Sequence, residues 1–444
     1  MRKLVLLLCI CLLVLPIMAQ SNSVEIDGIY YNFITKGGVN EAEVSKVPNV
    51  RKIVIPDKIN FDGVEYVVTT LGERSFFNQT QIESITIPKT IRKIGDDAFG
   101  FNFDSCLNAI YISDIESWMN IEFGNSYSNP LSQAHRLFLN GNEVKDINIP
   151  EGYTSLGKYV FQGLENLNSV TIPKTLTSIG EDAFSTNNNV YICDLNAWCS
   201  IEFKTLYSVP LINFDGGGHL FYNDVEITAL NIPDDVENIN DYSFTFCNGL
   251  NSVIIPSGVK TIGNYSFYMC PNLKTISIPN TVTSIGEYAF HFCSNLTSIT
   301  IPSSITQIGT GSFRACNKLS SIIIGNGVKT INSGAFSYCK ELADVYCYGE
   351  ILPSTEEDVF KESYIEYATL HVPESTIEKY KTTTPWSGFK KIVALTSEDP
   401  DPTGVSAVKN DNNEYQKYYN FQGIRVNKPS KGLYIVNGKK IVIK

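Results

Sequence analysis

The chain has 444 residues, 43% hydrophobic and 18% charged, with 46 Asp and Glu against 35 Lys and Arg for a formal net charge of -11. Its lysines are scattered and form no basic stripe, and that acidic balance excludes nucleic acid and anionic membrane surfaces as natural partners. Four histidines far apart, with no H-E-x-x-H, C-x-x-C, G-x-S-x-G or P-loop pattern, leave catalysis, metals and cofactors without a carrier.

Residues 1–19 place Arg2 and Lys3 before an apolar run of signal-peptide length, with a cut site after Ala19. The run holds Pro16 and is short for a bilayer span, which favours a cleaved leader over a retained anchor. The mature chain is expected to be exported, to start near Gln20 and to hold no integral membrane segment. Loss of Arg2 and Lys3 takes the formal charge from -11 to -13. Residues 20–49 alternate in a strand-like way and are expected to form an N-terminal cap.

From residue 50 to 395 one grammar recurs. Isoleucine-proline pairs at Ile55-Pro56, Ile87-Pro88, Ile149-Pro150, Ile172-Pro173 and Ile232-Pro233 are each followed by a Leu-Gly, Ile-Gly or Ile-Asn pair. Two longer inserts match each other: AIYISDIESWMNIEF with NPLSQAHRLFLNGNEV, and NVYICDLNAWCSIEF with VPLINFDGGGHLFYNDVEI. Each reads as a strand, a short helix capped by Asp114 or Asp194 with Trp118 or Trp198 inward, and a hairpin turning at Asn140-Gly141 or Asn223-Asp224.

Beyond the inserts the register becomes strict. Leu250, Leu273, Leu296 and Leu319 open four gapless stretches at a spacing of 23 residues. Val253 and Ile255, with their counterparts, alternate along a short strand, and Pro256, Pro279, Pro302 or Gly325 ends it. Val259 and Ile262 begin two further apolar columns. Gly263, Gly286 and Gly309, with Asn332 in the fourth copy, are expected at a corner of positive φ. Phe267 and Cys270 begin the closing columns. One such unit cannot bury its own apolar face, so the units must stack as a solenoid with capped ends.

Nine cysteines follow residue 19, an odd number that forbids complete pairing within the chain. Cys247, Cys270, Cys293, Cys316 and Cys339 share one column and are expected as a buried, reduced ladder. Disulfides between neighbouring coils are the alternative. His291 follows Phe290 and falls at a coil edge. Residues up to 395 end in a strand at Leu370–Val372, a helix with a capping box from Ser375 to Glu378, and Trp386 and Phe389 over the core's end. A polar linker, 396–403, precedes a strand-rich tail, 404–444, with a hairpin turn at Asn437-Gly438.

The unit L-x-x-I-x-I-P-x-x-V-x-x-I-G-x-x-[SA]-F-x-x-C resembles the BspA-like leucine-rich repeat, from about Val50 to Leu395. The resemblance implies an α/β-type solenoid of leucine-rich repeats with a parallel sheet on its concave face, plus irregular inserts and capped ends. It also implies a non-enzymatic surface protein, secreted or associated with the outer membrane, that adheres to host matrix or cell-surface proteins and uses no cofactor; a periplasmic address is the alternative. The final stretch from Tyr418 is similar to type IX secretion sorting signals.

On that architecture the residues between the buried strand positions line the open sheet. They are Ser84, Thr86, Ser169, Thr171, Ser252, Ile254, Thr275, Ser277, Ser298, Thr300, Ser321, Ile323, Asp344 and Tyr346, a neutral, hydroxyl-rich stripe. It either presents hydrogen bonds to a protein strand or a glycan, or simply suits an exposed sheet face. A second column, Tyr242, Tyr265 and Tyr288, with Tyr159 earlier, either holds a sugar or an interface partner, or covers the coil edge. The hairpin tips near Asn140 and Asn223 are contact points or tolerated loops. Three functional readings follow: macromolecular recognition, a structural or self-associating envelope protein, and glycan binding.

Overall fold

The computed structural model describes residues 23–400 except 37, 101–104, 186–188 and 213–217, together with the strands Tyr418–Tyr419, Arg425–Val426, Gly432–Val436 and Lys439–Ile443. The leader expected at 1–19 lies outside the described residues, as does most of the tail. The rest is a β-solenoid of about 15 turns with few helices.

Each regular coil has three sides, and each side bonds to the next coil. The first is a long strand such as Ser252–Ile254, whose Val253 pairs in parallel with Ile276 one coil on. The second is a short strand such as Thr261–Ile262, whose Ile262 pairs with Ile285. This second ladder was not foreseen, because two apolar columns three residues apart do not announce a strand. The third side is built of turns. There the amides of Tyr265, Phe267 and Met269 donate to the carbonyls of Glu287, Ala289 and His291 at 2.9, 2.8 and 2.8 Å. Backbone groups on all three sides therefore find partners in a neighbouring coil, and turn amides such as Val259 and Leu273 bond within their own.

The third side corrects the expected role of the glycines. Gly263, Gly286, Gly309 and Asn332 do not have positive φ; the left-handed residues stand on either side of the phenylalanine, at Tyr265 (φ 54) and Met269 (φ 53) and their equivalents. Glycine is needed at 263 for closeness instead. A Cβ on Gly263 would stand 2.6 Å from the Asp241 nitrogen of the preceding coil, and one on Gly286 2.5 Å from that of Asn264. The coils approach closely at this corner, so a side chain there would pry them apart.

The core is a bundle of columns. Phe244, Phe267, Phe290, Phe313, Phe336 and Phe360 stack at centroid spacings of 5.3, 5.3, 5.2, 5.5 and 5.8 Å, and Trp386 closes the stack edge-on at 5.3 Å. Beside them runs the cysteine column, free and buried. Cys270, Cys293, Cys316 and Cys339 each donate Sγ–H to the carbonyl of the phenylalanine one coil back, at 3.1, 3.3, 3.2 and 3.4 Å. A thiol here is a small apolar filler with one weak donor, and the carbonyl it meets would otherwise lack a second partner.

Both inserts form as expected. Asp114 accepts from the amides of Glu116 and Ser117 and opens the helix Ile115–Met119; Asp194 accepts from Ala197 and opens Leu195–Ser200. Trp118 and Trp198 are buried and donate Nε1–H to the carbonyls of Val160 and Ser243 at 3.0 and 2.8 Å. The hairpins turn at Asn140 (φ 50) and Gly141 (φ 83), and at Asn223 (φ 49) and Asp224 (φ 63), the double left-handed pair that matches strand twist.

At the N-terminal end Val24–Ile26, Ile29–Lys36 and Val39–Lys46 run antiparallel, and the last pairs in parallel with Val64–Leu71. At the other end Thr369–Val372 and Lys391–Ala394 close the long-strand ladder over buried Trp386 and Phe389. The capping box does not form. The helix starts at Ile377, and Ser375 instead donates to Glu350 at 2.8 Å, because a 3-10 turn over Glu374–Thr376 leads the chain in. In the tail Val436 pairs with Lys439, which leaves two connecting residues; Asn437 and Gly438 themselves lie outside the described residues.

Candidate binding face

Along each long strand the side chains alternate between core and solvent, and the solvent side is where function has room. Ser84, Ser169, Thr171, Ser252, Ser298 and Ser321 all lie there, half-buried or exposed, as do Thr86, Thr275, Ser277, Thr300 and Tyr346. Register aligns them in columns: Ser252 with Thr275, Ser298 with Ser321 and Asp344, Thr300 with Ile323 and Tyr346. Ile323, expected in the stripe, stands in it between Thr300 and Tyr346 but is only 8% exposed.

The face is divided into segments. Strands Lys52–Val54 to Asn142–Glu143 form one sheet, Asp146–Asn148 to Val225–Glu226 a second, Ala229–Asn231 to Thr275–Ser277 a third and Ser298–Ile301 to Lys391–Ala394 a fourth. Hairpins end the first two. The break between Ser277 and Ser298 coincides with Ile276 and Ile278, which are only partly buried.

The tyrosine column is elsewhere. Tyr242, Tyr265 and Tyr288 stand on the turn side, stacked at 5.3 and 5.1 Å, and partial burial raises the pKa of Tyr242 and Tyr265. Tyr159 takes the same left-handed conformation (φ 64) at an earlier coil. These residues therefore do not join the hydroxyl stripe in one site. Around them His291 is half-buried, edge-on to Tyr268 at 5.4 Å and stacked on Phe292 at 4.3 Å, with no partner for either ring nitrogen. Burial, and then the Arg314 charge, lower its pKa to about 4. Among the described residues no group of three His, Cys, Asp or Glu is placed to hold a metal ion.

Sequence reasoning named Tyr346 on the face but missed its other aromatic residues. In the first insert Tyr111 stacks on Phe138 at 4.9 Å, and in the second Tyr191 stacks on Phe221 at 4.7 Å. Each pair is bounded by a side-chain contact from its hairpin. Arg136 lies over the Phe138 ring at 4.9 Å and bonds Glu143 at 2.9 Å, while His219 Nδ1 is 2.6 Å from Glu226. Arg136 holds the Glu143 carboxyl below the usual carboxylate range. The signal was available in the matched segments AIYI and NVYI, RLFL and HLFY. What sequence could not supply was the register that puts tyrosine beside phenylalanine.

At the far end Tyr346 stacks on His371 at 4.2 Å, and His371 Nε2 meets Asp344 at 3.0 Å. The segment after the last strand returns over this corner: Asp399 lies 3.8 Å from His371 Nδ1, and Pro400 accepts from the Tyr348 hydroxyl.

The family description "BspA type Leucine rich repeat region" matches in six copies, over residues 47–129, 133–212, 217–343 and 260–381. Among solved structures, the pneumococcal vaccine antigen PcpA aligns with TM-score 0.53 and 17% identity over 85% of this chain and 99% of that one. A leucine-rich cell surface protein from Faecalibacterium prausnitzii aligns with TM-score 0.47 and 22% identity, over 85% of this chain and 95% of that one. A leucine-rich repeat protein from Bacteroides ovatus gives 0.45 and 20%, over 84% and 100%. No curated protein matches the chain.

Proposed function

The chain belongs to the BspA-type leucine-rich repeat family, and on that premise we propose that it is an exported, non-enzymatic recognition protein that binds macromolecules through the open side of its long-strand ladder. The observation that carries this reading is the near-neutral set of hydroxyls at Ser298, Thr300 and Ser321, held at strand spacing on a rigid face of an otherwise acidic chain. Rigid, preorganised hydroxyls lose little entropy when a partner's strand or loop settles on them. A host matrix or cell-surface protein is the partner this surface suits.

The same reading takes 1–19 as the leader, 20–49 as a cap, 50–395 as the recognition solenoid and 404–444 as a sorting signal behind the linker 396–403. It places the protein at the cell surface or outside the cell, a reading supported by the leader-like run of residues 1–19. The rival reading, a self-associating envelope spacer, is separated by sedimentation velocity of the chain from Gln20 at rising concentration. A monomer keeps the face free for a foreign partner. Self-association abolished by Ser298→Glu with Thr300→Glu would replace the recognition reading by the structural one.

A further inference from the structure

We propose that each insert builds a notch for one sugar ring of a neutral glycan. These notches lie on the first two sheet segments, apart from the serine and threonine columns of the fourth, so the inference goes beyond the recognition reading and does not depend on it.

In the second insert the wall of the notch is Tyr191. One face of its ring is covered by Phe221 at 4.7 Å, and its other neighbour in register is Thr171, whose own neighbour is Asn148. Threonine is too short to cover a phenol ring, so the upper part of the Tyr191 face stands free above it. Two strand spacings separate the ring from Asn148, about 9.6 Å, which is the room a pyranose needs when it lies flat on an aromatic wall. The first insert repeats the design with Tyr111 as wall, Phe138 behind it and Thr86 as floor.

The chemistry of both notches points to the same ligand. An aromatic face meets the C–H side of a sugar, and the threonine hydroxyl on the floor meets its O–H groups. Thr86 and Thr171 carry no charge, and the polar groups behind the wall are already committed to each other, Arg136 to Glu143 and His219 to Glu226. A free carboxylate or phosphate on the ligand would meet no uncommitted cation among the wall and floor residues and would be repelled by a chain of net charge -11. The glycan that fits is therefore neutral. A purely structural cross-strand pair needs only the two rings; it does not need a small floor residue on the open side of both.

The test is affinity electrophoresis of the full chain in gels containing soluble neutral polysaccharides (a mannan, a dextran, a xyloglucan and a mixed-linkage glucan), with polygalacturonate as the anionic comparison. Three forms are run: the parent, the Tyr111→Ala with Tyr191→Ala variant, and the Thr86→Tyr with Thr171→Tyr variant. The last fills both notches by extending each stack, so it should leave the thermal midpoint equal or higher. The expected result is retardation of the parent by at least one neutral polymer and a loss of about tenfold or more in affinity for both variants. Retardation unchanged in the filled variant would overturn the site. Retardation by polygalacturonate alone, or by none of the polymers, would overturn the ligand class.

Discussion

The ring of Tyr288 lies against the backbone of Gly311 one coil on, so closely that a Cβ on Gly311 would stand 2.5 Å from it. Both residues are left-handed, at φ 53 and φ 58. The tyrosine stack ends at Gly311 because the last ring covers the next coil's backbone and leaves no place for another side chain. Left-handed backbone is carried by tyrosine in three successive coils, so backbone conformation alone does not demand glycine at 311; the ring above it does.

Gly311→Ala should therefore destabilise the protein by about 1 to 3 kcal/mol, as overpacking does. Combining it with Tyr288→Ala should recover much of that loss. A double-mutant cycle by urea denaturation checks the coupling; additive effects would show that strain at φ 58, and not contact, is the cause.

The phenylalanine stack runs through the core from coil to coil alongside the two strand ladders. Phe290→Ala should cost about 3 to 5 kcal/mol. Since contacts in a solenoid reach only to neighbours, it should also uncouple the two sides of the stack and broaden or split the unfolding transition. Calorimetry distinguishes this from a uniform shift.

Cysteine reactivity follows burial. Cys106 and Cys193 are exposed, whereas Cys199, Cys247, Cys270, Cys293, Cys316, Cys339 and Cys347 are buried, and burial pushes the thiols of Cys199, Cys270 and Cys339 up to about 12. In the chain from Gln20 two thiols should alkylate rapidly at neutral pH and seven only after denaturation, as counted by mass spectrometry. The raised values also set an alkaline limit. Above about pH 8.5 to 9 the unfolded thiols ionise while the folded ones stay protonated, so stability should fall as pH rises beyond that range.

His291 sets an acid counterpart. Its folded pKa is about 4, below the ordinary imidazole value of about 6.5, so the unfolded state takes up a proton that the folded state refuses. Stability should decline as pH falls from about 6.5 towards 4, and His291→Phe should flatten that decline. An unchanged pH profile in the variant would show that the unpartnered ring nitrogens carry no cost.

Much of this architecture was legible in the residues. The spacing from Leu250 to Leu319, the aspartate caps at 114 and 194 and the Asn140-Gly141 hairpin each rest on a local rule, and each local rule held. What failed were inferences with two physical readings. Glycine at 263 serves either a left-handed corner or a close approach, and only the neighbouring coil decides. Ser375 and Glu378 have capping-box spacing, but a preceding 3-10 turn moves the helix start. The face was legible as hydroxyl columns and not as aromatic notches, because Tyr111 and Phe138 are 27 positions apart in sequence and meet only through register.

The central claim, that the open side of the long-strand ladder is the recognition surface, is tested most directly by binding of the chain from Gln20 to an array of extracellular-matrix proteins, parent against Ser298→Glu with Thr300→Glu. Both substitutions are on the solvent side of one strand, so the fold should be retained, as circular dichroism would report. The account predicts capture of the parent by at least one matrix protein and loss of that capture in the variant. Equal capture of both forms, or capture of neither, would contradict it.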